Sequence, residues 1–119
     1  EGQRRWLSVL GIKPIPKELL IHTIEYYEYL PDDAFGEAYE EPITIEFVRF
    51  EPSSKLVKSS ANESIQGVGV FFLDYSHTYP FIIPSDKSKF VFGEREYFVK
   101  QVDELYADTA TIHHLEVLV

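Results

Sequence analysis

At 119 residues the chain is the size of one domain, long enough to bury a modest core without cross-links. It has no cysteine, which excludes disulfides and thiolate metal sites and suits an intracellular origin. Its formal net charge of −9, from 20 acidic against 11 basic residues, argues against broad phosphate binding, which depends on lysine and arginine. Hydrophobic residues make up 45% and aromatic residues 15%, a composition that folds.

Residues 1–20 predict an N-terminal arm. Residues 4–10 suit about two turns of helix, which Gly11 ends and which Pro14 and Pro16 prevent from continuing. The apolar part of this stretch is too short for a membrane span, and it lacks a small-residue cleavage site. A partly mobile arm is expected.

From Ile21 the signals are β, and residues 21–119 predict one β-barrel domain. Residues 21–30, Ile-His-Thr-Ile-Glu-Tyr-Tyr-Glu-Tyr-Leu, are rich in β-branched and aromatic types, and Pro31-Asp32-Asp33 breaks them. Pro42 opens a second strand. Its apolar positions run 43, 45, 47 and then shift to 48 and 50, the one-residue phase change that a β-bulge produces. Pro52 ends it. Residues 53–65 are the longest polar stretch without periodicity, at a length where loops tend to carry function.

Gly67 to Tyr75 predicts a strand buried on both faces for part of its length, with Gly67 and Gly69 marking a bend or a close backbone approach. A proline-bounded connection, His77-Thr78-Tyr79-Pro80-Phe81-Ile82-Ile83-Pro84, follows. The runs at 89–92 and 96–102 flank Gly93-Glu94-Arg95, a hairpin signal. The last run, from Ile112, alternates apolar and polar from Leu115 and is expected to pair with the strand before it. The expected fold is all-β: a small antiparallel barrel or sandwich of about six strands with a short irregular or helical arm.

Between Glu25 and Glu46 lie eight acidic residues and no basic one. This reads first as a solvated loop, and second as a docking face for a basic partner or a surface that DNA passes without sticking. No spacing marks a catalytic residue, a metal or a cofactor. His113 and His114 are adjacent, so regular strand geometry turns them to opposite faces, away from a common metal, and both read as surface or edge histidines. A metal would need His77 or Asp108 brought in by the fold. No carboxylate pair, nucleophile elbow or phosphate-cradling glycine loop stands out. Tyr26, Tyr27, Tyr29, Phe71, Phe72 and Phe98 could stack bases, as in an OB-like single-stranded nucleic-acid-binding module. Such platforms come with a positive groove, and core packing explains these rings better.

Four segments, in order, resemble the small minor capsid proteins of tailed phages and prophages: Leu-Leu-Ile-His-Thr-Ile-Glu-Tyr-Tyr at 19–27, Val-Arg-Phe-Glu-Pro-Ser-Ser-Lys at 48–55, Lys-Phe-Val-Phe-Gly-Glu-Arg-Glu-Tyr-Phe-Val at 89–99, and Leu-Tyr-Ala-Asp at 105–108 followed by His-His-Leu-Glu-Val at 113–117. The resemblance runs from about residue 17 to the end. It implies a non-enzymatic protein of the head–tail joining module, a head-closure (stopper) or connector subunit in the virion neck, made in the bacterial host cytoplasm. Tail completion is the nearest rival. The implied partners are other copies of itself in a ring, portal or adaptor proteins and tail proteins, with packaged DNA nearby and no membrane. It further implies a channel or gating loop at Ser53, Ser54, Lys55, Leu56, Val57, Lys58, Ser59 and Ser60. Arg49, Glu51, Tyr79, Phe81, Ile82, Tyr106, Asp108, His113 and His114 are then candidates for subunit or partner contacts. Within the family's pattern, the hydrophobic Pro80-Phe81-Ile82-Ile83-Pro84 is an unusual element and a candidate docking patch.

Overall fold

A computed structural model describes residues 13–31, 38–53, 56–58, 64–107 and 111–119, with 56–58 and 64–66 by their backbone alone. The expected helix at 4–10, the break at Asp32-Asp33, Ser54, Lys55, Ser59, Ser60 and Asp108 lie outside these residues. A 3-10 turn, Lys17–Leu19, precedes the strands. These are β1 (His22–Tyr27), β2 (Tyr29–Leu30), β3 (Ala38–Tyr39), β4 (Ile43–Pro52), β5 (Leu56–Lys58), β6 (Ser64–Gln66), β7 (Gly69–Asp74), β8 (Lys89–Phe92), β9 (Arg95–Phe98), β10 (Gln101–Tyr106) and β11 (Ile112–Leu118). Seven of them form one antiparallel sheet in the order β10-β11-β7-β4-β1-β8-β9, while β2-β3 and β5-β6 are separate two-stranded ribbons. The expected all-β class holds: the large sheet is curled into a half-barrel.

The predicted bulge in β4 is present. Thr23 pairs with Glu46 and His22 with Val48, which leaves Phe47 as the extra residue. Its φ is +62°, in the left-handed region that a bulky side chain rarely adopts. The bulge lets Ile45 and Val48, three apart, both point into the core at 0% exposure. It also turns the Phe47 ring to the opposite face.

The sequence suggests one strand through residues 96–102, but the structure divides it. β9 and β10 lie at opposite ends of the sheet order, yet only Val99 and Lys100 separate them. Val99 N–H donates to the Ser88 carbonyl at 2.8 Å, beside β8, and Lys100 N–H donates to the Leu118 carbonyl at 2.8 Å, on β11. So short a link reaches about 10 Å at most, and it draws the two sheet edges together at this corner. This link, with the β4 bulge, is what curls the sheet. The Gly93 hairpin forms as expected: Gly93 and Glu94 have φ of +60° and +66°, the pattern of a type I′ turn.

The concave face holds the main core, built on Ile24, Tyr26, Ile45, Val48, Phe71, Leu73, Phe90, Leu115 and Val117. Phe71 is its centre, with ring centroids 4.6 Å from Phe50, 4.9 Å from Phe90 and 5.6 Å from Tyr97. The convex face carries a second cluster of Ile15, Leu20 and Phe72, with Phe47 and Val70 against it. Residues 13–20 of the arm, expected to be partly mobile, are thus packed on the sheet, and Lys17 Nζ sits 4.3 Å above the Phe47 ring. This covering explains why β11 is buried at nearly every position despite its alternating sequence.

Candidate functional site

The long segment after Pro52 is not a plain loop. β4 and β7 are antiparallel neighbours with Pro52 opposite Gly69, and Ser53 N–H donates to the Val68 carbonyl at 2.9 Å. Beyond that bond the chain leaves the sheet, and β5 pairs with β6 through Leu56↔Gln66, Val57↔Ile65 and Lys58↔Ser64. The segment is therefore a hairpin ribbon rooted on the main sheet. Its root is tight. Val68 N–H donates to the Val119 carbonyl at 2.7 Å, and Val119 N–H to the Gly69 carbonyl at 3.0 Å. A Cβ on Gly69 would overlap the Phe50 ring, and one on Gly67 would strike Leu118 and the Val119 carbonyl. Both glycines are close-approach positions, as their sequence suggests.

The candidate contact residues fall in different environments. Tyr79 is 75% exposed, although its backbone is held by a pair of hydrogen bonds with Glu46. Tyr106 is 44% exposed, on edge strand β10, and its hydroxyl donates to Glu104 at 3.2 Å. Phe81 and Ile82 lean against the core, and the Phe81 ring meets Tyr75 edge-on at 5.3 Å. Arg49 is engaged within the chain: Nε donates to Glu51 at 2.9 Å and a terminal nitrogen to the Leu19 carbonyl at 3.1 Å. The pair Arg49–Glu51 thus fastens the arm to β4.

His113 and His114 are not surface or edge residues, contrary to the expectation from sequence. They are 8% and 0% exposed. Leu105 pairs with His114 and Tyr106 with Ile112, so His113 is the extra residue of a second bulge. The bulge defeats the strict alternation assumed for neighbouring strand positions. The two Nδ1 atoms lie 3.0 Å apart, with the rings near perpendicular at 5.2 Å. His113 Nε2 meets the Lys13 carbonyl, and His114 Nε2 lies 3.0 Å from Glu116 Oε2. Among the described residues no group of three or more His, Asp or Glu is placed to hold a metal ion.

Asp74, fully buried at the end of β7, completes this cluster. Its carboxylate accepts from the amides of Ile15, Ser76 and His77, each at 3.0 Å. Asp74 was not singled out from sequence. The available signal was an Asp followed by Tyr-Ser-His, a common way to start an Asx turn. A cavity of about 170 Å³ lies beside the cluster, between Pro14, Tyr75, Thr111, Ile112 and His113. It is smaller than the roughly 300–1,000 Å³ of ordinary small-molecule pockets and suits one side chain at most.

Two further polar groups have shifted titration. Burial, with Arg49 nearby, lowers the pKa of His22, whose Nδ1 accepts the Phe50 amide at 3.1 Å. Burial, then the bond to Glu28, raises that of Tyr26, whose hydroxyl also accepts the Ser85 amide at 3.1 Å. In their neutral forms His22 ties β1 to β4, and Tyr26 ties β1 to the segment before β8. Of the described acids between Glu25 and Glu46, Glu40, Glu41 and Glu46 are exposed. No described helix is long and apolar enough to cross a membrane.

A family model described as minor capsid protein matches residues 16–119. No curated protein and no solved structure matches the chain.

Proposed function

From the premise that this chain belongs to the minor capsid protein family, and so is a structural component of a phage virion, we propose that it is a head-closure subunit of the neck. On this reading, copies form a ring between the portal or adaptor and the tail. The observation that carries it is the ribbon β5-β6. It leaves the sheet between two central strands, from a root fixed by main-chain bonds and by glycines without room for a side chain. A ribbon on such a root can reach into a channel while the sheet stays with its neighbours. The acidity of the chain fits a surface that DNA passes without binding, and Lys55 and Lys58 on the ribbon segment are its local exceptions. The exposed Tyr79 and the edge strand β10 supply surfaces for neighbours.

The test is to delete residues 54–64 and assemble virions. The expected result is a domain with unchanged circular dichroism whose heads form but leak DNA. Heads that retain DNA normally would overturn the channel assignment. Tail completion, the rival reading, predicts DNA-tight heads that fail to join tails.

A further inference from the structure

The cavity beside the histidines lies at one end of the sheet, where β7 ends at Asp74, β10 ends at Tyr106 and β11 begins at Ile112. Its walls are mainly apolar. They come from Pro14 of the arm, Tyr75 after β7, and Ala107, Ile112 and His113 around the turn from β10 to β11. Ile112 belongs both to the wall and to the margin of the main core. Tyr75 remains 53% exposed, with its ring edge-on to Phe81. Walls of this kind give water few partners, so an apolar side chain gains more there than a water molecule does.

The chain enters this place from residues 4–10. The Lys13 carbonyl is fixed at His113, and Pro14 is itself part of the wall. Leu10 stands four residues before Pro14, a span of ~13 Å even when fully extended. In the two turns of helix that the sequence predicts, Trp6, Val9 and Leu10 share one side, and Arg4, Arg5 and Ser8 share the other. Two turns do not hold alone in water, so the apolar side needs a surface to pack on. The basic side has an acidic counterpart close to the cavity. Asp103 and Glu104 are exposed on β10, and Glu104 accepts from the hydroxyl of Tyr106, which pairs with Ile112.

We propose that the apolar side of residues 6–10 docks on this cavity within the same chain, with Leu10 entering it and Trp6 lying on the Tyr75 ring. Arg4 and Arg5 then face the acidic end of β10, an exposed pairing that orients the segment more than it stabilises it. The tether decides between this occupant and the same segment of a second copy. Held at Lys13, the segment meets the cavity at an effective concentration on the order of millimolar, which a second copy at about micromolar concentration does not match. The inference stands apart from the neck assignment, because it concerns a contact inside one subunit.

Trp6 is the only tryptophan, so the full 119-residue chain reports on the contact without a variant. In buffer its emission is expected at shorter wavelength than in urea, with acrylamide quenching reduced several-fold. Both should persist through about hundredfold dilution, as a tethered contact requires. Nuclear Overhauser contacts are expected from the Trp6 indole to the Tyr75 ring and from the Leu10 methyls to Ile112. Quenching equal to that in urea overturns the proposal. Protection that is lost on dilution also overturns it and assigns the segment to a second copy. So does an indole that is protected but contacts residues away from the cavity.

Discussion

Strands β7 and β11 carry different chemistry on their two faces. On the concave side Phe71, Leu73, Leu115 and Val117 belong to the main hydrophobic core. On the convex side Phe72, Asp74, His114 and Glu116 are buried, Phe72 and Asp74 against the arm, and three of the four are polar. The first face gains stability from area and close packing, which is additive and tolerant of exact partners. The second gains it from a closed set of hydrogen bonds, where each member is costly if left alone. The convex face therefore fixes where the arm lies, while the concave face supplies most of the folding energy.

Four changes sharpen that comparison, the largest first. Phe71→Ala should cost about 3–5 kcal/mol, because four aromatic rings surround the site and cannot collapse fully into the void. Denaturant unfolding measures it, and a loss below that of any convex-face change would reverse the ranking. Asp74→Ala should cost about 2–3 kcal/mol, since it strips an acceptor from three amides. It should also speed hydrogen exchange across residues 13–20, which Phe71→Ala leaves tied to the global transition. Gly69→Ala should cost about 1–3 kcal/mol by pushing a methyl into the Phe50 ring, and it would show as a lower denaturation midpoint. Tyr79→Ala should stay within about 0.5 kcal/mol of the parent in stability, yet reduce incorporation into virions if that exposed ring meets a neighbour.

The lowered pKa of His22 adds a pH test on the strand pair β1–β4. Its neutral form accepts the Phe50 amide, so its contribution is full above the unfolded value of about 6.5 and is lost as pH falls towards the lowered folded value. A His22→Gln variant should show a shallower loss of stability between pH 6.5 and 5, measured by thermal melts. An unchanged acid limb would remove His22 from the account.

Much of the fold could be read from local pattern. The shift of apolar positions at Phe47 marked a bulge, because side chains alternate with a period of two and only an extra residue resets the phase. Gly93-Glu94 marked a hairpin, and Gly67 and Gly69 marked close approach. The split of residues 96–102 was not legible. The run is uninterrupted in composition, and it divides where Val99 bonds to Ser88 beside β8 and Lys100 bonds to Leu118 on β11. The ribbon β5-β6 was missed because a hairpin with few apolar residues has no periodic signal. The histidines were misplaced for a different reason. A polar residue looks exposed in a sequence until its partners are known, and the partners of His113 and His114 come from the arm and from a bulge.

By itself, then, the sequence determined the all-β class, the bounds of strands such as β4 and β8, the turn at Gly93 and a resemblance that the family match bears out. These depend on side-chain period, proline and glycine stereochemistry, and short motifs, all of which act within a few residues. Only the tertiary structure decided which edges meet, where the arm lies and which polar groups are buried. Those outcomes rest on hydrogen bonds between residues as far apart as Ile15 and Asp74, or Lys13 and His113. A donor becomes costly only once folding removes its water, so the need for such partners exists in the folded chain and leaves no periodic mark in the sequence.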